Sequence, residues 1–407
     1  MDDSMHDLPH DDAVELSEYL SWRRTGILMV VFALTCFGLV MVYSASAIRA
    51  ARGGGWEMSY AWNQLSWFVV AVTGMIAVSR IPYRFWSKTW VWLSIFASCL
   101  SLLMLVLTPL GTRVNGANRW FRFGFFNVQP SEIAKVGMVM VMAAFLARVP
   151  DGRPRFFRHF LPMIVMVGVT VCLVAMEPDF GTAALIGAGL TILMLAGGVR
   201  FGQILLLVAP AIPVAAWYGY TKFEYINRRV ESWLAGEAFH TNVSKLAIGS
   251  GGVWGVGLGQ GPAKLDYLPE AHTDFIFALI GQETGLIGSL SLIILFIILV
   301  WQGMAIARNA PDRFGSLLAF GVTVIIGGQA IFNMGVVTGL LPPKGISLPF
   351  VSFGGSGLVV FYSMIGILCA VSRGVRMPKK VNDSLQARFK PKPAMEFALA
   401  VREEQSV

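Results

Sequence analysis

Charged residues are scarce in this sequence of 407 residues. Only 14% are Asp, Glu, Lys or Arg, whereas 55% are hydrophobic, and the mean hydropathy is +0.64. A soluble domain typically carries about 25% charged residues. The composition therefore excludes an ordinary soluble protein and indicates a polytopic membrane protein.

Cysteine and histidine are too few and too scattered to predict a metal centre or a disulfide framework. Each of the four cysteines lies within an apolar run, where packing is its usual role. The five histidines show no ligand spacing. Neither GxxxxGK(S/T) nor GxGxxG occurs, so we expect no nucleotide-binding loop.

Residues 1–22 are not expected to act as a signal peptide, because they contain seven acidic residues and no apolar core. We interpret them as an acidic, solvated cytoplasmic tail. The apolar runs that follow predict an all-α membrane domain of about ten helices over residues 23–375, with a large outer loop at 221–273 and a basic tail at 376–407. The predicted spans are 26–47, 61–79, 89–110, 131–147, 160–176, 180–199, 201–221, 274–307, 314–341 and 352–372.

The positions of Lys and Arg predict the orientation of these spans. With the N-terminus inside, the inner segments collect 20 of the 32 basic residues, which is the bias expected of cytoplasmic segments. An even number of spans then places both termini in the cytoplasm. We expect the basic C-terminal tail to touch anionic membrane lipid.

The outer segment at 111–130 mixes three Arg with Trp120 and four Phe. One interpretation is an interfacial belt in which the Arg side chains snorkel toward the headgroups. The other is a grip on a phosphate or sugar outside the bilayer, since Arg offers paired hydrogen bonds. Taken alone, the segment favours the belt.

Two further polar features interrupt the apolar sequence. Glu132 and Lys135 lie three residues apart on one helical face, where they form either an internal ion pair or part of a site. The stretch EPDFGT at 177–182 predicts a tight turn in which Asp179 caps the next helix.

The large outer loop has two parts. Charges of both signs around Arg228 predict a short surface helix in the first part. The second part contains seven glycines between Gly249 and Gly261. Such backbone approaches a ligand closely or moves as a lid.

The stretch from Lys264 to Gly285 runs from polar into apolar sequence and is the centre of the predicted site. A carboxylate at the mouth of an apolar span is costly, so it is a functional hypothesis by default. For Asp274 the alternative is a helix cap, and spacing alone favours neither. The carboxylates are Asp266, Glu270, Asp274 and Glu283.

The last outer loop, residues 341–357, packs Pro and Gly against apolar residues around Lys344. Irregular backbone at membrane depth is tolerated only where it is buried in protein or lines a water-filled cavity. Gln329 and Asn333 share a helical face in the preceding span. Together these residues predict a polar lining that opens outward.

Five stretches in this order resemble the motifs of the SEDS family (shape, elongation, division and sporulation): NGANRW…QPSEIAK, EPDFGT, AIGSGGVWGVGLG, YLPEAHTDFIFALIG and GLLPPKGISLPFVSFGGSG. The resemblance covers about residues 20–375. Phe180 of EPDFGT and Lys344-Gly345 favour the division branch of the family. The resemblance implies a bacterial inner-membrane enzyme at the division site that polymerises lipid II, the polyprenyl-pyrophosphate-linked disaccharide peptide, into glycan strands.

The resemblance also implies residue roles. Asp274 matches the family's catalytic aspartate, which takes the proton of the acceptor hydroxyl in an inverting displacement of polyprenyl pyrophosphate. Arg119, Lys135 and Lys344 match basic positions that neutralise the pyrophosphate. Glu132, Asp266 and Glu283 are candidate substrate-binding carboxylates. Asp266 stands where the family is expected to have glutamate, and Gln282-Glu283 where it often has two glutamates.

No cofactor is required by this chemistry, although a divalent cation would assist the departure of pyrophosphate, and the sequence contains no dedicated metal site. The implied partners are lipid II, a class B penicillin-binding protein and other division proteins, and membrane lipid, without nucleic acid. Two other functions fit ten spans and a polar cavity. One is a flippase for the lipid-linked precursor, and the other is a non-enzymatic division scaffold.

Overall fold

The computed structural model describes most of the membrane domain. Three of the predicted features lie largely or wholly outside it: the first residues of the N-terminal tail, the span 201–221 and the basic C-terminal tail. The described residues are 10–52, 59–114, 117–123, 126–150, 154–206, 209, 213, 224–261 and 272–374.

The chain is predominantly helical, as predicted. The helices bury apolar faces against one another, and two short helical turns, at Tyr83–Ser87 and Phe156–Phe160, precede α3 and α5. The helices are α1 His10–Arg52, α2 Ser59–Arg80, α3 Thr89–Leu107, α4 Pro130–Leu146, α5 Leu161–Met176, α6 Phe180–Ala196, α7 Glu224–Leu234, α8 Phe239–Gly251, α9 Ile276–Arg308, α10 Arg313–Val337 and α11 Gly355–Ser372.

Seven helices in the described part of the chain are long and apolar enough to cross a membrane: α1, α2, α3, the α5 segment, α9, α10 and α11. The shorter α4 and α6 coincide with two more of the predicted spans. The span predicted at 201–221 begins with helical residues 201–206 and then leaves the described residues. Helix α1 begins at His10, so residues 10–22 of the predicted acidic tail are helical.

Local sequence explains where several helices begin. Pro130 starts α4, a position where its missing N–H costs nothing. The Asp179 carboxylate accepts a hydrogen bond from the Thr182 amide at 3.3 Å, which confirms the predicted cap of α6. Asp312 caps α10 in the same way through Gly315 N at 2.7 Å.

The segment at 111–130, predicted only as an outer segment, contains a small antiparallel sheet. Its strands are β1 Thr112–Val114, β2 Ala117–Phe123 and β3 Phe126–Val128, in the order β1-β2-β3. Thr112 pairs with Trp120, and Arg122 pairs with Asn127. The aromatic residues of β2 suit such a ribbon, and β2 carries Arg119 toward the turn between α5 and α6.

The large outer loop contains two helices, and α7 confirms the predicted surface helix. Four residues of its glycine-rich part, Gly252, Gly255, Gly257 and Gly259, have positive φ. This part packs against a kink in α9 at Gly285, whose φ is 67°. Leu286 N donates to Gly252 O at 2.9 Å, and Val256 N donates to Gln282 O at 3.0 Å. The glycine backbone thus approaches another part of the same chain closely.

Candidate functional site

The irregular segment at 342–353, which we call the PPKG loop, is held by two amides on one face of α10. The Gln329 side chain donates to Ser347 O at 2.9 Å, and the Asn333 side chain donates to Ile346 O at 2.6 Å. Both side chains are buried. The predicted polar face of this helix therefore donates hydrogen bonds to carbonyl groups of the loop, which lies outside regular secondary structure.

Asn333 and the PPKG loop also hold the backbone at Asp274 in place. Asn333 also donates to the Asp274 carbonyl at 2.8 Å, and Ser352 of the PPKG loop donates to Thr273 O at 2.6 Å. Helix α9 has Phe275 as its N-cap residue, so Asp274 precedes the cap position. The Asp274 side chain is partly exposed rather than buried, which leaves it reachable from the site.

Gly345 lies directly against the Asp274 carboxylate. A Cβ atom at position 345 would be 2.5 Å from Asp274 Oδ2, closer than real Cβ atoms approach an oxygen. Glycine is therefore required for this approach. The PPKG loop thus joins two predicted site residues, because Lys344 is the neighbour of Gly345.

Lys344 and Arg119 meet at the turn between α5 and α6. Arg119 Nε donates to Glu177 O at 2.7 Å, and Arg119 Nη2 donates to Pro178 O at 2.6 Å. Lys344 Nζ lies 3.4 Å from Pro178 O and 3.5 Å from Asp179 Oδ1. Burial lowers the pKa of Lys344, and the Asp179 carboxylate opposes that shift. Two cations therefore share one carbonyl at the edge of the site.

Glu177 lies beneath these cations and was not among the predicted site residues. It is fully buried, and neither carboxyl oxygen has a hydrogen-bond partner among the residues that the structure describes. Burial, with a smaller contribution from Asp179, raises the pKa of Glu177 to about 8, although Arg119 acts in the opposite direction. A second acid in the EPDFGT turn, within otherwise apolar sequence, was the signal that could have identified it.

Lys135 and Glu132 form the internal ion pair that their spacing allowed. Lys135 Nζ lies 2.7 Å from Glu132 Oε1 and donates to Gln329 Oε1 at 2.6 Å. Lys135 is 1% exposed and Glu132 is 7% exposed. Through Gln329 the pair supports the PPKG loop from below. Their direct contact with a substrate stays a prediction.

Glu283 belongs to a different part of the molecule from Asp274. It is buried on α9, where its carboxylate accepts hydrogen bonds from Ser44 Oγ, the shorter at 2.6 Å, and from Gly259 N at 3.0 Å. It thus joins α1 to the glycine-rich part of the outer loop. Asp266 lies outside the described residues, so the structure gives it no position.

The structure therefore brings Asp274, Lys344 and Arg119 together and adds Asp179 and Glu177. Glu132 and Lys135 lie one layer further in, and Glu283 is farther along α9. Among the residues that the structure describes, no three His, Cys, Asp or Glu side chains are grouped as metal ligands.

The family described as cell cycle protein, which comprises FtsW, RodA and SpoVE, matches this chain over residues 24–377. The chain belongs to this family. It is the SEDS family that the five motifs predicted, and the apolar helices make this member a multi-pass membrane protein.

Individual relatives of this SEDS chain support the family assignment. A protein of Geobacter metallireducens named probable peptidoglycan glycosyltransferase FtsW is 40% identical over 85% of this chain and 93% of its own length. Stage V sporulation protein E of Bacillus subtilis is 36% identical over 85% of this chain and 96% of its own length.

A solved structure supports the fold. One chain of a peptidoglycan synthase complex, described as coordinating polymerization and crosslinking, superposes with a TM-score of 0.73. It covers 87% of this chain and 98% of its own length at 24% identity. The polytopic helical fold predicted from the apolar runs is thereby confirmed.

Proposed function

We propose that this chain is a peptidoglycan glycosyltransferase that polymerises lipid II on the outer face of the bacterial inner membrane. The observation that carries the proposal is the PPKG loop, which places Gly345 against the Asp274 carboxylate and Lys344 beside Arg119. A base next to two cations suits a sugar transfer whose leaving group is a pyrophosphate. The names of the relatives support the same activity.

In the proposed reaction Asp274 accepts the proton of an acceptor sugar hydroxyl as that oxygen attacks the anomeric carbon of the donor. A new glycosidic C–O bond forms while the bond from the anomeric carbon to the pyrophosphate oxygen breaks. The bonding electrons leave with polyprenyl pyrophosphate. One displacement inverts the anomeric centre and needs no protein nucleophile.

Arg119 and Lys344 neutralise the departing pyrophosphate in this proposal. Arg119 donates two hydrogen bonds to the carbonyl groups of the turn, and these bonds hold its guanidinium group at the edge of the site. Lys344 is partly buried beside the Asp179 carboxylate. Its ammonium group is poorly solvated there, so a hydrogen bond to a charged phosphate oxygen would stabilise it strongly. A divalent cation bound through the phosphates would add to this neutralisation.

We further propose that both termini lie in the cytoplasm and that the protein acts at the division site with a class B penicillin-binding protein. The bias of Lys and Arg toward the predicted inner segments supports the orientation. The FtsW-named relatives and the similarity to a chain of a peptidoglycan synthase complex support the site of action and the partner.

Asp274→Asn tests the mechanism, because Asn keeps the side-chain volume but cannot take up the proton. A positioned base contributes about 10²- to 10⁴-fold, or roughly 3–5 kcal/mol of barrier. We expect the variant to fold, insert and bind lipid II yet to polymerise at least about a hundredfold more slowly. Asp274→Glu, with the carboxylate displaced by one methylene, should lie between the two.

The measurement is the rate and length of glycan strands made from labelled lipid II by purified protein with its activating partner in vesicles. Near-normal polymerisation by Asp274→Asn removes the residue from the mechanism. The same vesicles separate the three candidate functions, since a flippase moves lipid II across the bilayer without forming polymer, and a scaffold does neither.

A further inference from the structure

A cavity of about 270 Å³ lies in the outer loop, apart from the site described above. It is bounded by the end of α7, the start of α8 and Gly339, which follows α10. Its walls combine an indole and small apolar side chains with three polar side chains. The lining residues are Trp233, Leu234, Gly236, Ala238, Thr241, Asn242, Lys245 and Gly339.

The cavity is a built feature rather than an accidental gap. Trp233 Nε1 donates to Gly339 O at 3.0 Å, and Asn242 donates to Gly236 O at 2.7 Å. Gly339 has a φ of 81°, and a Cβ there would lie 2.7 Å from Lys245 Nζ. Only glycine suits that conformation and that approach.

One polar group in the cavity lacks the partner that a buried group normally has. The Thr241 side chain is 1% exposed, and its hydroxyl makes no hydrogen bond to the described part of the chain. Leaving a buried hydroxyl unpaired costs about 1–3 kcal/mol. Lys245, one helical turn later, is exposed and forms no ion pair or hydrogen bond with any residue that the structure describes. A ligand that accepts a hydrogen bond from Thr241 would remove this cost, and Lys245 would supply a cation beside it.

One ring contact lies between the wall of the cavity and the residue beside the candidate base. His240, next to Thr241, packs its ring against Phe275 with centroids 6.1 Å apart. Phe275 immediately follows Asp274. This contact links the wall of the cavity to the residue beside the candidate base.

We propose that this cavity binds the terminal carboxylate of a short peptide attached to the saccharide substrate. Lys245 supplies a cation and Thr241 a hydroxyl for the carboxylate, while Ala238 and the Trp233 indole accept small apolar side chains. The proposal rests on the proposed function, because lipid II carries such a peptide. It makes peptide recognition a second point of substrate contact.

A lipid phosphate is the less suitable anion. The Thr241 hydroxyl is buried, and its apolar neighbours in the cavity suit a group with methyl substituents beside the charge. A phosphate headgroup is larger and carries no such substituents. Glu237, the acidic residue nearest in sequence, is exposed and is not among the lining residues.

Two substitutions test the proposal in the full-length protein. Lys245→Gln removes the cation from an exposed position. Thr241→Val removes an unpaired buried hydroxyl at nearly constant volume, so the melting temperature without ligand should stay the same or rise. Arg228→Gln is the matched control, because it removes one charge from the exposed face of α7 and does not line the cavity.

The probe is the water-soluble disaccharide pentapeptide without lipid or pyrophosphate, titrated against the rise in melting temperature that binding produces. We expect it to bind the wild type and Arg228→Gln equally, and to bind Lys245→Gln and Thr241→Val about tenfold more weakly. The same probe with its terminal carboxylate amidated, and the disaccharide without peptide, should bind the wild type as weakly as the variants bind the intact probe.

Several outcomes would overturn the proposal. They are the absence of binding to the wild type, equal binding of the amidated probe, unchanged affinity in both cavity variants, and full displacement of the probe by vesicles of anionic phospholipid. Because binding is read without turnover, failure here leaves the Asp274 experiment intact. Conversely, a protein that binds the probe but makes no polymer contradicts only the proposed function.

Discussion

Gly345→Ala offers a sharp test of the geometry around Asp274. The three atoms nearest to the added Cβ are all in the Asp274 carboxyl group, at 2.5, 3.3 and 3.8 Å. The φ of Gly345 is outside the left-handed region, so alanine is compatible with the backbone. The substitution therefore acts mainly by displacing the Asp274 carboxylate.

The distance from the added Cβ to Asp274 Oδ2 gives the size of this displacement. Ordinary contact begins near 3.4 Å, so Oδ2 must retreat by about 0.9 Å from its present 2.5 Å. A misplacement of about 1 Å in a reacting group can cost on the order of a hundredfold in rate. The Asp274 side chain would move off its preferred rotamer at a cost of about 0.5–1.5 kcal/mol.

Stability should change much less than activity. Replacing glycine by alanine restricts the unfolded chain and stabilises by about 0.4–1 kcal/mol, which offsets most of the rotamer cost. We therefore expect a free energy of unfolding within about 1 kcal/mol of the wild type and a polymerisation rate reduced ten- to a hundredfold. A drop in kcat with little change in the KM for lipid II would place the effect on the reacting group.

The assay compares initial polymerisation rates and melting temperatures of Gly345→Ala and Gly354→Ala. Gly354 is the control because a Cβ there meets nothing within 4 Å, and its φ of 167° is extended backbone. Wild-type rates from Gly345→Ala would refute the reasoning, since a displaced base would then work as well as the present one.

Three other predictions follow from the same cluster and from the topology. Lys344→Ala and Arg119→Ala should each raise the KM for lipid II without unfolding the protein, and Lys344→Arg should restore activity only in part; normal kinetics from both alanine variants would return them to an interfacial role. The raised pKa of Glu177 means that the unfolded chain loses this proton at lower pH than the folded one, so the free energy of unfolding falls as the pH rises from about 4.5 to 8. Glu177→Gln should therefore melt higher than the wild type at pH 8 and much closer to it at pH 5. Parallel plots of melting temperature against pH for the two proteins would disprove the burial argument. In intact cells a cysteine at position 245 should react with an impermeant reagent and one at position 153 should not, after the native cysteines are replaced; labelling at 153 would reverse the orientation.

Much of the fold could be predicted because lipid imposes a simple rule on sequence. A span must satisfy its own backbone and carry few charges, so apolar runs and basic segments indicate helices and orientation. The same rule fails in the outer segments, where water satisfies backbone groups. There the strands around Trp120 and the helix that ends at Gly251 were not predicted.

The candidate site was predictable one residue at a time, but its contacts were not. The position of Asp274 at the mouth of a span and the basic residues around it were visible in the sequence. The approach of Gly345 to Asp274 and the joining of Lys344 to Asp179 depend on how α10 holds the PPKG loop. Glu177 was overlooked because its burial, not its type, makes it unusual.

The ion pair within α4 has a consequence for the biogenesis of the protein. Helix α4 enters the membrane during synthesis long before α10, which supplies Gln329, has been made. A lone ammonium in an inserting helix costs at most about 2.5–3.5 kcal/mol, the cost at the helix centre, but Lys135 brings its own counterion one turn away at Glu132. The segment therefore partitions as a neutral unit. Removing either charge alone should lower the amount of protein in the membrane, so activities of such variants must be divided by the amount inserted.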